Sequence, residues 1–429
     1  MARLSSSPFQ APFGKLPRYM HLLYRKTPSS RLSDCSLAVR TGASQASDPG
    51  SIPGNRTFLS YFGIMSSDGP WAILIRTVRM GVFMHQMIEI DGSRGEGGGQ
   101  MVRTSVAMST VTGIPVHLTR IRENRPTNGL SRQHVAAVRA VARMAGSEVE
   151  GCSVGSSELF FRPGDEQIYD IDVNISSAGS ISLVLQAMLL AARSHRKRMN
   201  IDISGGTNVM WAPPIDSYSA LLFPMMDRMG ITADAKIIDR GFYPQGGGRV
   251  IASLDPIGDI SPLNLDRLGE LKSVHGICFY QRLADWIPEA MVKSCADAFG
   301  GIADVDIETQ HTDGDSRGAG LVLVAEYENG MLGSNALSAR GHSPDRSGRD
   351  AANDLINEMR SGATVDVHTA DQLLPYMAMA TGESSFYVSR ISRHLLSQMD
   401  TLESFLDVKF GVERIGDLYR FTVTPGARP

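Results

Sequence analysis

The sequence predicts an α/β protein built as α+β layers: a large domain of three repeated helix–strand units with a small α/β domain inserted. Two observations lead there. Past residue 86, three segments share one order of parts: helix, small-residue turn, strand, polar loop, helix and strand. That alternation is expected of a layered fold made by repetition. Their first helices begin near 101, 182 and 351, so the second interval exceeds the first by roughly 90 residues, the size of a small domain.

Each element has a local reason. In the first unit an apolar helix over 101–112 stops at Gly113, a strand runs over 115–121, and a polar loop over 122–130 leads into a helix over 131–145. The second unit has a helix over 182–193, a strand over 199–204, a loop over 205–212, and a helix opened by Pro213 and Pro214. The third has a helix near 351–361 closed by Gly362, a strand over 364–368, and a helix carrying Asp371 and Gln372. Proline opening a helix and glycine closing one are the expected boundary residues. Within the insertion, strands over 273–279 and 320–326 flank a helix over 287–299. The domain limits are therefore expected at 87–264 with 362–429 for the large domain and 265–361 for the small one.

Composition narrows the function classes. Of 429 residues, 42% are hydrophobic and 20% charged, as in soluble globular proteins. Cys35, Cys152, Cys278 and Cys295 form no CxxC pair, which argues against a zinc site and for a reducing, cytoplasmic setting. Of the 42 Lys and Arg, 32 fall after residue 86, together with 42 of the 45 Asp and Glu. An acidic body excludes broad nonspecific nucleic-acid binding, so any RNA contact needs a local basic patch. Residues 1–86 are rich in Ser, Arg, Pro and Gly and contain no Glu. Two readings fit them: an organelle transit segment, or leader sequence upstream of a start at Met80, Met84 or Met87. The lack of an amphipathic Arg-bearing helix favours the second. The apolar run over 71–75 is too short to span a bilayer, so no membrane partner is expected.

Several motifs carry chemistry. Gly95-Glu96-Gly97-Gly98-Gly99-Gln100 precedes a helix, and bare backbone N–H groups at a helix start receive anions. A tight turn explains the same glycines. Glu96 and Arg103 would bring a metal-binding carboxylate and a phosphate-binding guanidinium to that corner. The stretch 118–143 holds Arg120, Arg122, Arg125, Arg132, Arg139 and Arg143 against the single acid Glu123. Arginine suits bidentate phosphate recognition, and a solvated helix face is the plainer reading. Ser176-Ser177-Ala178-Gly179-Ser180 feeds a helix bearing Gln186. His394 stands at another helix start. A histidine there is more often a cap or a packing residue, yet neutral imidazole is a competent nucleophile.

The segment 90–100 resembles the N-terminal signature of the RNA 3′-terminal phosphate cyclases. The resemblance continues through the loop 122–134, through Gly205-Gly206-Thr207 with Ala212-Pro213-Pro214-Ile215-Asp216, and through Asp371-Gln372 to Arg393-His394. It runs from about Met87 to about Val423. Departures are Thr127-Asn128 where the family usually has Lys-Pro, Asn208 where it often has Asp, and Ser397-Gln398 where it commonly has Thr-Asn. The resemblance implies ATP-dependent conversion of an RNA 3′-phosphate to a 2′,3′-cyclic phosphodiester through a histidine–AMP intermediate. It implies His394 as the adenylylated nucleophile, and Gln186, Pro213, His368, Asp371 and Gln372 at the nucleotide. Arg103, Arg122, Arg125 and Gln133 would hold the RNA phosphate, and Glu96 a divalent Mg or Mn ion. Two rivals are weighed. A non-catalytic, cyclase-like ribosome-biogenesis factor should lack a residue like His394, and the enolpyruvyl transferases share only the repeated unit.

Overall fold

The structure, a computed structural model, describes residues 87–338 and 341–426; the expectations for 1–86 lie outside the described residues. The first unit is β1 (Ile88–Asp91), α1 (Gly99–Thr112), β2 (Val116–Thr119), α2 (Arg132–Ala145), β3 (Glu148–Glu150) and β4 (Leu159–Arg162). Its sheet has the order β1-β2-β4-β3, with β1 parallel to β2 and the other pairs antiparallel.

The second unit repeats this plan. It comprises β5 (Asp170–Asn174), α3 (Ile181–Ala191), β6 (Met199–Gly205), a second helix, β7 (Ala233–Asp239) and β8 (Gly248–Leu254), in the order β5-β6-β8-β7. Its second helix runs from α4 (Ile215–Ser217) through a π turn at Tyr218–Leu222 into α5 (Phe223–Asp227). Pro224 lies in α5. It withholds an N–H from the helical ladder, the kind of interruption that accompanies such a turn.

The third unit is interrupted. Where the first two have a full parallel strand, it has one parallel bridge from Asn264 to Ser385. Then come β9 (Leu271–Gln281), α6 (Trp286–Phe299), β10 (Val305–Thr312), β11 (Gly318–Tyr327), β12 (Met331–Leu337) and α7 (Pro344–Ser361), whose sheet has the order β10-β9-β11-β12. These elements share a separate buried cluster that includes Met291, Phe299, Leu323 and Leu355. The unit resumes with α8 (Val367–Met377), β13 (Ser384–Val388), α9 (Arg393–Phe405), β14 (Val408–Ile415) and β15 (Leu418–Pro425), in the order β13-β15-β14.

This corrects two expectations for the third unit. The helix at 351–361 is the end of α7, whose Ala351, Ala352 and Leu355 pack in the cluster of the inserted elements. It is therefore not the unit's first helix. The expected strand at 364–368 is a loop running into α8, capped by Asp366. Asp366 Oδ1 accepts from the N–H groups of His368 and Thr369 at 3.1 and 2.9 Å, and an N-cap of this kind overrides the β-branched run before it. The insertion thus falls between the bridge strand and α8.

The helices meet inside and the sheets lie outside. α1 is buried from Gln100 to Thr110 although half of its residues are polar; Gln100, Arg103 and Thr104 find side-chain partners on the helices packed around it. The strands β5, β6 and β8 alternate between buried and more exposed positions, the pattern of a sheet with one wet face. No helix among the described residues is long and apolar enough to cross a membrane.

Candidate active site

The repetition has one consequence for chemistry. The first turns of α1, α2, α3, α8 and α9 all line one cavity of about 650 Å³. Each helix start presents N–H groups without intrahelical partners and a partial positive charge. Five of them around one space favour an anion there, although at α8 the cap Asp366 takes the His368 and Thr369 N–H groups and adds a carboxylate to the wall. Strands β11 and β12 of the inserted elements contribute Leu323, Gly333, Ser334 and Asn335 to the wall. Asp366 Oδ2 accepts from the Gly333 N–H at 3.2 Å, which ties the cap of α8 to β12.

All eleven residues singled out from the sequence line this cavity: Glu96, Arg103, Arg122, Arg125, Gln133, Gln186, Pro213, His368, Asp371, Gln372 and His394. They fall into three groups.

The first group surrounds His394. Its side chain is 48% exposed and opens on the cavity. Nδ1 lies 2.8 Å from Gln100 Oε1 and 2.5 Å from Glu96 Oε2. Two oxygen neighbours call for a proton on Nδ1, donated to Gln100, and this leaves the Nε2 lone pair free. Burial lowers the pKa of the ring; Glu96 opposes that shift, while Arg103, Arg125 and His368 add to it. The neutral, nucleophilic form is therefore favoured. The loop before α1 is seated here by Ser397 of α9, whose Oγ accepts from the Glu96 N–H at 3.0 Å. Gly95 has φ +59°, and a Cβ there would fall 2.3 Å from Ser397 Oγ, so this position needs glycine.

The second group is cationic. Arg103 is buried, and desolvation pulls its pKa down to about 10, so it remains charged at neutral pH. It donates to Gln186 Oε1 at 3.4 Å. Arg125 forms an ion pair with Glu96 Oε1. Arg122, with φ +57°, donates to the Gly129 carbonyl at 3.0 Å. Gln133 accepts from the Ser180 N–H at 2.8 Å and so links α2 to the cap of α3.

The third group lies on α8 and across from it. Asp371 accepts from Ser392 Oγ at 2.7 Å, and burial raises its pKa to about 7. The Pro213 carbonyl accepts from Ser182 Oγ at 2.6 Å. Gln372 donates to the His368 carbonyl at 3.4 Å.

Four buried polar atoms of residues lining this cavity lack a hydrogen-bonding partner: Glu96 Oε2, Arg103 Nε, Ser217 Oγ and Gln372 Oε1. Buried polar groups are normally paired, and orphans gathered around one cavity point to a ligand. Glu96 Oε2 is close to His394 without forming a hydrogen bond. Among the described residues no group of three or more His, Cys, Asp or Glu is arranged to hold a metal.

Two residues here escaped sequence reasoning. His134 caps its own helix: its Nδ1 accepts from the Ser131 N–H at 3.1 Å. The Ser-x-x-His spacing is the signal, with His in the place of the usual Glu or Gln of a capping box. Trp211 is 94% exposed with φ +68°, and it lines the cavity beside Pro213. Asn208 also gains a reason. Its amide donates to Asp216 Oδ2 at 2.9 Å, and Asp216 is already held by the buried Arg240. An aspartate at 208 would set two carboxylates against one arginine.

A family profile described as RNA 3′-terminal phosphate cyclase matches residues 94–412. The RNA 3′-terminal phosphate cyclase of Methanopyrus kandleri is 40% identical over 330 residues, covering 75% of this chain and 94% of that protein. The one from Methanosarcina barkeri is 38% identical over 342 residues, covering 79% and 100%. That of Pyrococcus abyssi is 37% identical over 328 residues, covering 76% and 95%. A solved EPSP synthase from Acinetobacter baumannii aligns with 79% of this chain and 64% of its own, at 12% identity and TM-score 0.23, a likeness on which nothing below rests. With a profile match over most of its length and relatives matched nearly end to end, the chain belongs to the RNA 3′-terminal phosphate cyclase family.

Proposed function

We propose that this protein uses ATP to convert an RNA 3′-phosphate into a 2′,3′-cyclic phosphodiester, with His394 as the nucleophile. The observation that carries the reading is the setting of His394: Nδ1 hydrogen-bonded to Gln100 with Glu96 alongside, which leaves the Nε2 lone pair for chemistry, at an anion-favouring cavity. Nε2 attacks the α-phosphorus of ATP, forms an N–P bond and expels pyrophosphate. An oxygen of the RNA 3′-phosphate then attacks that phosphorus; the N–P bond breaks and its electron pair returns to Nε2. This leaves RNA(3′)pp(5′)A. Finally the adjacent 2′-OH loses its proton, attacks the 3′-phosphorus and releases AMP. Phosphoryl transfer of this kind depends on positioning and charge neutralisation. The helix starts and Arg103 supply the neutralisation, and the neighbouring 2′-OH supplies proximity.

In this reading Gln186, Pro213, His368, Asp371 and Gln372 hold the nucleotide, and Arg122, Arg125 and Gln133 receive the RNA phosphate together with Arg103. A divalent Mg or Mn ion fits Glu96, because an unpaired buried carboxylate oxygen beside polyphosphate calls for a cation. When bound, the ion would shield the triphosphate, its other ligands being phosphate oxygens and water. The domain limits 87–264 with 362–429, and 265–361, and a cytoplasmic location belong to the same proposal.

The test is incubation with α-labelled ATP, followed by cyclisation of a 3′-phosphorylated RNA. Acid-labile, hydroxylamine-resistant AMP on the wild-type protein and none on His394→Ala is the expected result. Wild-type labelling of the variant overturns the reading.

A further inference from the structure

Outside the cavity a second concave feature, a groove of about 440 Å³, lies between α2 and the edge strand β5. We propose that it carries the RNA strand upstream of its 3′-phosphate. This deepens the function proposed above and rests on that reading.

The groove is lined by Arg132, Arg139 and Arg143, all exposed on one side of α2 with the buried Val135 at its floor, while Val138 and Met144 are buried on other faces of the helix. The helical rise sets the Cα positions of the three about 10 and 6 Å apart along the axis, a row long enough for several nucleotides. Nine other arginines are ion-paired: Arg94, Arg120, Arg125, Arg162, Arg198, Arg240, Arg249, Arg282 and Arg346. Among the described residues no such pair involves the three in the groove. Arg139 donates to the Cys152 carbonyl at 3.3 Å and Arg143 to the Asp172 carbonyl at 3.1 Å. These contacts orient each fork and leave its other donors free for phosphate oxygens. Asp172 is the one acid on the groove wall, and its carboxylate interacts with Arg249 of β8.

Two further observations name the occupant. The groove adjoins the cavity: Arg132 lines the groove, while its neighbours Ser131 and Gln133 line the cavity. A strand whose terminal phosphate rests near Gln133 and Arg122 is thus led along α2 towards Arg143. The charge also selects. After residue 86 the chain holds 32 Lys and Arg against 42 Asp and Glu, so an unpaired arginine row is a local track for a polyanion on an otherwise repelling body. The exposed Val154 lies against this row and offers an apolar surface to a base.

The test uses the full chain carrying Arg139→Gln and Arg143→Gln together, which keeps a side-chain donor at each site. Affinity is measured by fluorescence anisotropy over a salt series, for a 3′-phosphorylated dinucleotide and a 3′-phosphorylated twelve-nucleotide RNA. The long RNA is expected to lose about tenfold or more in affinity, with a salt slope smaller by about 1.4, two phosphates at about 0.7 each. Dinucleotide binding and self-labelling from α-labelled ATP stay at wild-type level. Arg139→Lys with Arg143→Lys is expected to restore the slope. Wild-type affinity and slope for the long RNA, or an equal loss for both RNAs, overturns the groove. If the double variant does not fold, Arg143→Glu alone has the same expected direction. A wild-type protein that neither labels nor cyclises refutes the proposed function instead, and the binding arm still decides the groove.

Discussion

The second helices of the first and third units begin alike and end up with opposite chemistry. α2 follows Ser131 and starts with Arg132; α9 follows Ser392 and starts with Arg393. In α2 the histidine occupies the third helical position, turns back on its own cap and is buried. Its ring sits against Gly99, where a Cβ would be 1.8 Å from Nε2. Burial, with Arg103 and Arg122 nearby, pushes its pKa down to about 3. In α9 the histidine occupies the second position, and its ring faces the cavity. One residue is a turn of about 100° around a helix. That step separates a structural imidazole from a candidate nucleophile, and residue type alone does not reveal it.

The sharpest way to break this comparison is to remove each ring. His394→Ala is expected to abolish protein–AMP formation, a loss of at least about 1000-fold or ~4 kcal/mol of barrier, with an unchanged melting curve. His134→Ala should do the reverse. Losing the cap and leaving a void costs about 2–4 kcal/mol of stability, read by denaturant titration, while the folded protein labels within about tenfold of wild type. If both variants lose labelling equally, the two histidines do not divide the roles as described.

Next in size is the carboxylate beside the exposed ring. Glu96→Ala is expected to slow labelling and to raise the Mg²⁺ or Mn²⁺ concentration needed for half-maximal rate. An unchanged metal titration with a lowered melting temperature would make Glu96 a structural residue of the loop.

The arginines before α2 sharpen the comparison at smaller amplitude. Arg122→Ala should weaken RNA binding by about 1.5–3 kcal/mol, the worth of a charge-assisted contact, and leave labelling intact. Arg125→Ala should disturb both steps, because Arg125 is paired with Glu96 beside His394. Separate measurement of labelling rate and RNA KM distinguishes them; identical profiles would contradict the geometry.

The smallest effect is one of pH. Asp371 holds its proton to about pH 7 in the folded protein, against an ordinary value of 3.8. The unfolded chain releases that proton first, so stability falls as pH rises from about 4 to 7 and then levels off. Asp371→Asn keeps an acceptor for Ser392 and removes the ionisation. It should raise Tm by on the order of 5 °C at pH 8 and leave it unchanged at pH 4. An equal gain at both pH values would show that ionisation is not the cause.

Much of the site was legible because its residues sit at boundaries that a sequence marks. Glu96 and Arg103 follow from a glycine run opening a helix, and Asp371 and Gln372 from a helical run in the third unit. The register of that unit was not legible. The end of α7 reads as an amphipathic helix whichever core it joins, and the segment over 364–368 is β-branched enough to imitate a strand until Asp366 caps α8. The strands β3 and β14 were missed as well. β3 has only three residues, too few to show a period; β14 does alternate at Val408, Phe410 and Val412, but most of its side chains are exposed.

The sequence by itself determined which residues carry charge, nucleophilicity and backbone freedom, and in what order the helices and strands follow. These depend on side-chain chemistry and on periodicities of a few residues, both local. Only the tertiary structure decided that five helix starts share one cavity, that β11 and β12 close part of its wall, and that Gln100 and Glu96 meet the Nδ1 of His394 across almost the whole described chain. Those outcomes depend on how three repeats pack around α1. The packing follows from burying apolar faces together, a collective property that no local window of residues contains.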